Sequence, residues 1–138
     1  VSNAVPDYAK LTCDTRYTDY ALLEEVLPKL QAIAAKQYVP DTKTVLKTVT
    51  EFQSMDEVPG TAALLQLVQE AAAECNLPQP TAKAVGGGSD SAYATVAGVP
   101  TICALGVQGV RNHTAEEFAV VDTLFSRCKL FATIMLNI

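Results

Sequence analysis

The sequence predicts an α/β protein built from two units that meet near residues 56 and 57. Two observations predict this fold class. Segments with helix-spaced apolar residues alternate with short stretches that have the pattern of strands. An acidic stretch with a proline and a glycine, residues 55–60, then interrupts the series. We therefore expect one unit at residues 1–56 and a second at residues 57–138.

The first unit has the order strand, helix, strand. Residues 4–17 and residues 42–52 alternate apolar and polar positions, which predicts a strand in each segment. Between them, Asp19 is placed to cap a helix whose leucine, valine and isoleucine residues recur every three or four positions. Pro28 lies inside this helix and removes one backbone donor, so a kink is expected.

The second unit begins with a helix that starts near Thr61 and stops before Pro78. Short buried strands are expected at residues 81–85 and 101–105, with a glycine-rich loop and a short helix between them. Such a parallel crossover is right-handed and gathers loops at the carboxyl ends of its strands. A closing helix capped by Asp122 is expected to turn six residues inward: Leu124, Phe125, Cys128, Phe131, Ala132 and Met135.

Composition excludes several classes of protein. The 138 residues are 49% hydrophobic and 18% charged, which is typical of a soluble globular protein. A net charge of −5 without a basic stripe argues against a nucleic-acid partner, and no apolar run approaches the roughly 20 residues that cross a membrane. The four cysteines form no C-x-x-C pair and are expected to be free thiols. Free thiols are typical of a reducing compartment, although a cysteine-poor secreted enzyme has a similar composition. Of the two we expect a cytoplasmic protein.

The glycine-rich loop is a candidate binding site for an anion. Gly86, Gly87 and Gly88 precede the short helix, which Ser89 or Asp90 is expected to cap. Without Cβ atoms, backbone N–H groups are free to converge on a carboxylate or a phosphate, and the helix dipole adds partial positive charge. A tight turn with positive φ angles is an equally good interpretation. No Gly-Lys-Ser or Gly-Lys-Thr follows, which excludes a nucleotide-binding P-loop.

His113 is the only histidine of the chain and lies in a polar loop after a predicted strand, where it is a candidate metal ligand. One histidine does not make a catalytic metal site, so its partners would come from residues that this chain lacks. Glu116 and Glu117 either orient the imidazole or cap the following turn. Arg16 has the geometry to hold a carboxylate through two parallel N–H groups, or it forms an ordinary surface ion pair.

Three groups of residues follow one another in a specific order. They are Asn3-Ala4-Val5-Pro6 with Asp14-Thr15-Arg16, then Gly87-Gly88-Ser89-Asp90, then His113-Thr114-x-x-Glu117. Over nearly the whole chain this order resembles the dinuclear zinc hydrolases, which include glutamate carboxypeptidase, acetylornithine deacetylase and succinyl-diaminopimelate desuccinylase. The resemblance implies that residues 1–56 are half of a ferredoxin-like lid or dimerisation domain, a β-α-β segment. It implies that residues 57–138 are the C-terminal part of an α/β zinc-peptidase catalytic domain.

The resemblance also implies roles for individual residues. His113 matches the family's last metal ligand, which binds one of two zinc ions. Arg16 matches a lid residue that neutralises the substrate carboxylate, and Asn3 matches one that helps to hold the polarised carbonyl oxygen. The backbone amides of three loop residues would complete this pocket: Gly87, Gly88 and Ser89. None of these residues is implied to be catalytic itself.

The function implied is that of a zinc-dependent exopeptidase, similar to a carboxypeptidase, or of a deacylase. In such enzymes a metal-activated water hydrolyses an amide bond next to a carboxylate. The family's His-x-Asp motif, its bridging-aspartate motif, the Glu-Glu pair that carries its general base and its lid histidine are not found here. We therefore expect a C-terminal fragment that is inactive alone, with most ligands of its two zinc ions outside this chain.

The expected substrate is a small peptide or an N-acyl amino acid. The expected protein partner is a second copy, giving a homodimer, or the missing N-terminal part of the same enzyme. An alternative function from a different class is a carboxylate-binding or dimerisation module without catalytic activity, derived from the same family. The upstream sequence would discriminate between the enzyme and the module.

Overall fold

The computed structural model describes residues 3–138. Within these residues the chain is a mixed α/β structure with four helices and one two-stranded sheet. None of the described helices has the length and apolar character that a membrane span requires. The elements in chain order are α1 (Tyr20–Ala35), α2 (Thr61–Glu74), α3 (Ser91–Val96), β1 (Gly109–Val110), β2 (Phe118–Ala119) and α4 (Val121–Leu136).

Helix α1 begins where the sequence predicts it. The carboxylate of Asp19 accepts a hydrogen bond from the backbone N–H of Ala21 at 2.8 Å, which satisfies one free donor of the first turn. Pro28 lies inside the helix, which continues to Ala35. No residue of α1 is fully buried, so this helix contributes nothing to the core of residues 3–138.

The core lies between α2 and α4. Val68, Ala71 and Ala72 of α2 are buried against Leu130 and Ile134 of α4. These positions recur at three- and four-residue spacing, so each helix presents a single stripe to the other. Four partly buried side chains pack around the edge of the core: Leu67, Leu77, Ile102 and Leu105.

The inward face of α4 differs from the sequence prediction. All six side chains that the sequence places inside are exposed, and Leu130 and Ile134 face α2 instead. Apolar residues occur around most of this helix, so their spacing alone is compatible with two different buried faces. The contact with α2 determines which of the two is buried. The predicted cap is also wrong, because the N-cap residue is Val120 and Asp122 lies in the first turn. There its negative charge is favourable to the helix dipole.

The four predicted strands do not form. Within residues 3–138, the segments 4–17, 42–52, 81–85 and 101–105 contain no strand. A strand is stable only when a neighbouring strand accepts and donates its backbone hydrogen bonds, and these segments do not pair with one another. The expected β-α-β unit is thus represented by its helix alone, and the expected crossover by α3.

The sheet that does form is a hairpin near the end of the chain. Strands β1 and β2 are antiparallel, with Gly109 opposite Ala119 and Val110 opposite Phe118. Each strand has two residues, which is too short to show alternation in the sequence. The hairpin presents the loop 111–117, and this loop carries the only histidine.

Gly60 anchors the start of α2. Its φ angle of 98° lies in the left-handed region, and a Cβ atom at this position would lie 2.9 Å from Cγ of Pro100. Glycine is therefore required both by backbone conformation and by close packing. The predicted boundary between residues 56 and 57 lies just before this anchor and stays a prediction.

Candidate functional site

The structure brings Arg16 to the glycine-rich loop. Nη1 of its guanidinium group donates to the backbone carbonyl of Gly86 at 3.1 Å, although the two residues are 70 positions apart. Nε and Nη2 both donate to Oδ2 of Asp14, at 3.1 and 2.9 Å. The side chains of Arg16 and Asp14 are 66% and 71% exposed. Two of the predicted binding elements, the arginine and the glycine loop, thus form one region of the surface.

Arg16 remains cationic at every pH at which proteins fold. The hydrogen bonds that Arg16 donates to Asp14 and, next, the negative charge of Asp14 raise the pKa of Arg16 above the ordinary value. The guanidinium group borders a cleft of about 370 Å³. Residues of α1 and of the segment before it form most of the wall: Thr15, Tyr17, Thr18, Leu22, Leu23 and Val26.

The three glycines of the loop differ in their surroundings. None has a positive φ angle, so the interpretation of the loop as a positive-φ turn is wrong. A Cβ atom on Gly88 would lie 3.4 Å from the ring of Phe52, and one on Gly86 would lie 3.6 Å from Nη1 of Arg16. A Cβ atom on Gly87 would meet nothing within 4 Å. The loop is therefore open to a ligand at Gly87.

Ser89 caps the short helix α3. Its Oγ accepts a hydrogen bond from the backbone N–H of Ser91 at 3.2 Å, whereas Asp90 makes no capping bond with its side chain. The same hydroxyl lies 3.2 Å from Sγ of Cys103. Hydrogen bonds from Ser89 and then Ser91 lower the pKa of Cys103 because they stabilise the thiolate. The side chain of Ser89 is thus used within the fold.

Tyrosine contacts connect three distant segments beside the loop. The hydroxyl of Tyr17 donates to the backbone carbonyl of Phe52, and that of Tyr20 donates to a carboxylate oxygen of Glu51 at 3.1 Å. The rings of Tyr17 and Tyr20 are 6.2 Å apart in an edge-to-face arrangement. Desolvation and, next, the charge of Glu51 raise the pKa of Tyr17. A Cβ atom on Gly88 would lie 3.4 Å from the ring of Phe52, so the helix start, residues 51–52 and the glycine loop lie close together.

His113 lies in the hairpin loop with its backbone in the left-handed region, at a φ angle of 65°. Its backbone N–H donates to Oε2 of Glu117 at 3.1 Å. Glu116 forms an ion pair with Arg111. The two carboxylates therefore stabilise the turn, and among residues 3–138 neither is hydrogen-bonded to the imidazole.

A second cleft, of about 510 Å³, lies beside His113 and Glu117. Its other walls come from the hairpin and the residues around it: Val107, Gly109, Asn112, Phe118 and Ala119. This cleft shares no lining residue with the cleft at Arg16. Asn3 is exposed and lines neither of the two clefts. The structure thus does not bring Asn3 or His113 to the arginine and the glycine loop.

The described residues do not form a complete metal site. Within residues 3–138, no three side chains of His, Cys, Asp or Glu are placed to hold a metal ion. Catalytic zinc sites use three protein ligands. The donors among residues 3–138 therefore do not fit a bound zinc ion by themselves.

Asp14 and Phe52 belong to this site, yet sequence reasoning assigns them no role. The signal for Asp14 is its spacing, because residues i and i+2 of an extended segment lie on the same side. A carboxylate two positions before Arg16 is thus placed to meet the guanidinium group. No local signal identifies Phe52, because its contact with Gly88 joins parts of the chain that are distant in sequence.

Comparison with known proteins identifies the family. The model of peptidase family M20/M25/M40 matches residues 19–137. The chain is 23% identical over 139 residues to carboxypeptidase G2 of Pseudomonas sp. (strain RS-16), a match that covers 100% of this chain and 34% of that protein. It therefore spans about a third of the length of this curated relative. No solved structure gives a significant match.

The chain belongs to peptidase family M20/M25/M40, because the family model covers well over half of its residues. Peptidases of this family are generally metal-dependent. The resemblance drawn from the sequence motifs is thus confirmed at the level of the family, and a hydrolase of the peptidase class is the function that membership supports.

Proposed function

We propose that this chain is the carboxylate-binding part of a zinc-dependent amide hydrolase, an exopeptidase or a deacylase that cleaves an amide bond next to a carboxylate. The observation that carries the proposal is the hydrogen bond between Arg16 and Gly86. It places a permanent cation beside an open backbone loop, an arrangement suited to a ligand carboxylate. The relative carboxypeptidase G2 is a carboxypeptidase by name, and such enzymes act beside a free carboxylate.

Further protein is proposed to cover much of this chain. Its 138 residues expose 11169 Å² of surface, whereas a folded monomer of 14.7 kDa exposes about 6,900 Å². Helix α1, which has no buried residue, contributes to this excess. We propose that residues 1–56 are half of a lid domain and residues 57–138 part of a catalytic domain. Either the rest of the enzyme or a second copy would cover the excess surface.

His113 is proposed to be one ligand of the metal centre. Its loop is held by Glu117, it borders an open cleft, and its imidazole is not bonded to either neighbouring carboxylate. The other ligands and the general base would come from protein outside residues 3–138. Asn3, which the structure does not bring near Arg16, would reach the substrate only in the assembled enzyme.

The test compares the native full-length gene product with the 138-residue chain. We expect a longer product that holds about two zinc ions per subunit and hydrolyses N-acyl amino acids or dipeptides, with activity lost on chelation. The chain alone is expected to hydrolyse neither. Intact mass, metal analysis and product formation measure the three properties. A metal-free natural product of 138 residues, or hydrolysis by the peptidase-free chain, would contradict the proposal.

A carboxylate-binding or dimerisation module is the second candidate. The absence of a three-donor cluster within residues 3–138 fits this module, and it fits equally an enzyme whose other ligands lie outside this chain. In that case a native product would bind carboxylates without holding zinc and without hydrolysing amides. The same three measurements therefore separate the module from the enzyme.

A further inference from the structure

We propose that Asp14 is a positioning residue, which orients the guanidinium group of Arg16 so that its terminal edge receives a ligand carboxylate. The inference rests on the proposed function, in which Arg16 binds the ligand carboxylate and is here called the clamp. It concerns how the Arg16 side chain is held in place and not which metal or base performs the reaction. The ligand class is a compound with a free carboxylate beside an amide.

Two of the three edges of the guanidinium group are occupied. Nε and Nη2 share one edge, and both donate to a single oxygen of Asp14. Gly86 lies at the edge between Nη1 and Cδ of Arg16. Its carbonyl accepts from Nη1 at 3.1 Å, and a Cβ atom built on it would lie 3.6 Å from Nη1 and 3.8 Å from Cδ.

The third edge lies between Nη1 and Nη2, and no described residue accepts hydrogen bonds from both of these groups. No described residue besides Asp14 and Gly86 is hydrogen-bonded to the Arg16 side chain, which is 66% exposed. This edge carries two parallel N–H groups, the geometry that a carboxylate matches with its two oxygens. The two contacts already present therefore leave the best binding edge facing solvent.

Asp14 has two opposite effects on a carboxylate ligand. Ordering a flexible arginine in advance strengthens binding about threefold to tenfold, since the ligand no longer has to immobilise the side chain. The negative charge of Asp14 repels the ligand, but solvent screens this repulsion because both side chains are mostly exposed. If Asp14 acts by positioning Arg16, its removal weakens the binding of the carboxylate ligand. If Asp14 acts through its charge alone, its removal strengthens that binding.

The experiment uses the 138-residue chain and a matched pair of probes. N-acetylglycine has the free carboxylate, and N-acetylglycinamide has an uncharged amide in its place. NMR titration that follows the Arg16 Nε–H signal measures both dissociation constants in the wild type and in the variants Asp14→Ala, Asp14→Asn and Arg16→Ala. For the arginine variant, which lacks that signal, the backbone N–H signals of the glycine loop are followed.

We expect Asp14→Ala to weaken N-acetylglycine binding about threefold to tenfold and to leave N-acetylglycinamide binding unchanged. Asp14→Asn is expected to restore at least wild-type affinity, because its amide oxygen still accepts from Nε and Nη2. Arg16→Ala is expected to abolish the preference for the carboxylate. The backbone spectrum of each variant verifies that the fold is retained.

Unchanged or tighter binding in Asp14→Ala would overturn the positioning role, and so would an equal loss in Asp14→Asn. Both results leave the clamp intact, provided that Arg16→Ala still abolishes the preference. If wild type shows no preference for the carboxylate, or Arg16→Ala retains it, the clamp itself is wrong. The proposed function then fails together with the inference.

Discussion

A substitution at Gly87 can separate a structural role of the glycine-rich loop from a ligand-binding role. Gly86 lies against Arg16 and Gly88 lies against Phe52, so a larger residue at either position changes a contact within the fold. At Gly87 an added Cβ atom meets nothing within 4 Å, and its φ angle is not positive. A methyl group there would occupy only the open space beside the loop.

We expect Gly87→Ala to leave the free energy of unfolding unchanged or to raise it by up to about 1 kcal/mol, because alanine restricts the unfolded chain. The same substitution is expected to weaken the binding of N-acetylglycine, since the methyl group narrows the approach to the backbone amides. Chemical denaturation and NMR titration measure the two effects.

The matched control is Gly98→Ala. Gly98 has a φ angle of 79° with open space around it, so alanine there is strained by about 1–2 kcal/mol without touching the loop. We expect this variant to be less stable and to bind the probe normally. An equal loss of stability in Gly87→Ala, with binding unaffected, would mean that the loop serves the fold alone.

At this scale the types of the site residues are predictable from the sequence, but only some of their contacts are. The sequence identifies Arg16 and the glycine loop as candidate carboxylate-binding groups, and the structure brings the two together. The sequence suggests the imidazole of His113 as a partner for Glu117. In the structure Glu117 accepts from the backbone N–H of His113 instead, because the left-handed backbone there turns this N–H toward the carboxylate. Such a conformation has no signature in the residue pattern.

Helices were predictable as elements because their signals are local. The Asp19 cap lies next to α1, and the spacing of apolar residues in α2 is complete within one segment. Strands depend on partners elsewhere in the chain. The segments 4–17 and 42–52 have a suitable pattern, but within residues 3–138 no segment pairs with them. The hairpin is not predictable from the sequence, because its two-residue strands are too short to show an alternating pattern.

Helix α4 offers a direct test of which stripe faces the core. Leu130 is fully buried and Leu124 is 48% exposed, and both are leucines of the same helix. We expect Leu130→Ala to lower the free energy of unfolding by about 2–5 kcal/mol, because it leaves a cavity between α4 and α2. Leu124→Ala is expected to change it by less than about 1 kcal/mol.

Urea denaturation followed by circular dichroism measures both variants. Comparable losses in the two would show that the stripe containing Leu124 is also packed. A larger loss in Leu124→Ala than in Leu130→Ala would contradict the observed face of α4 and support the one that periodicity predicts.

At the scale of the whole molecule, residues 3–138 have one small core and a large uncovered surface. The buried cluster joins only α2 and α4, while the exposed apolar side chains of the described residues extend from Val5 to Ile138. Local stability follows the density of buried contacts. The structure therefore predicts a chain whose parts open independently, with protection concentrated in two helices.

Hydrogen exchange measures this distribution. In the 138-residue chain we expect slow exchange in α2 and α4 and fast exchange in α1, which has no buried residue. In the full-length protein we expect α1 to become protected, because the further protein that we propose would cover it there. Equal protection of α1 and α2 in the isolated chain would contradict the uneven core. Fast exchange of α1 in the full-length protein would contradict its coverage.

The contact between Tyr17 and Phe52 has a spectroscopic consequence. The chain contains five tyrosines and no tryptophan, so its ultraviolet emission comes from tyrosine alone. Tyr17 and Tyr20 are close enough, at 6.2 Å between ring centroids, to exchange excitation energy, and the phenol of Tyr17 donates a hydrogen bond to a backbone carbonyl. Separation of these segments alters both the brightness and the polarisation of that light. The cluster of Tyr17, Tyr20 and Phe52 beside the glycine loop therefore contains its own fluorescent probe, and no dye has to be attached.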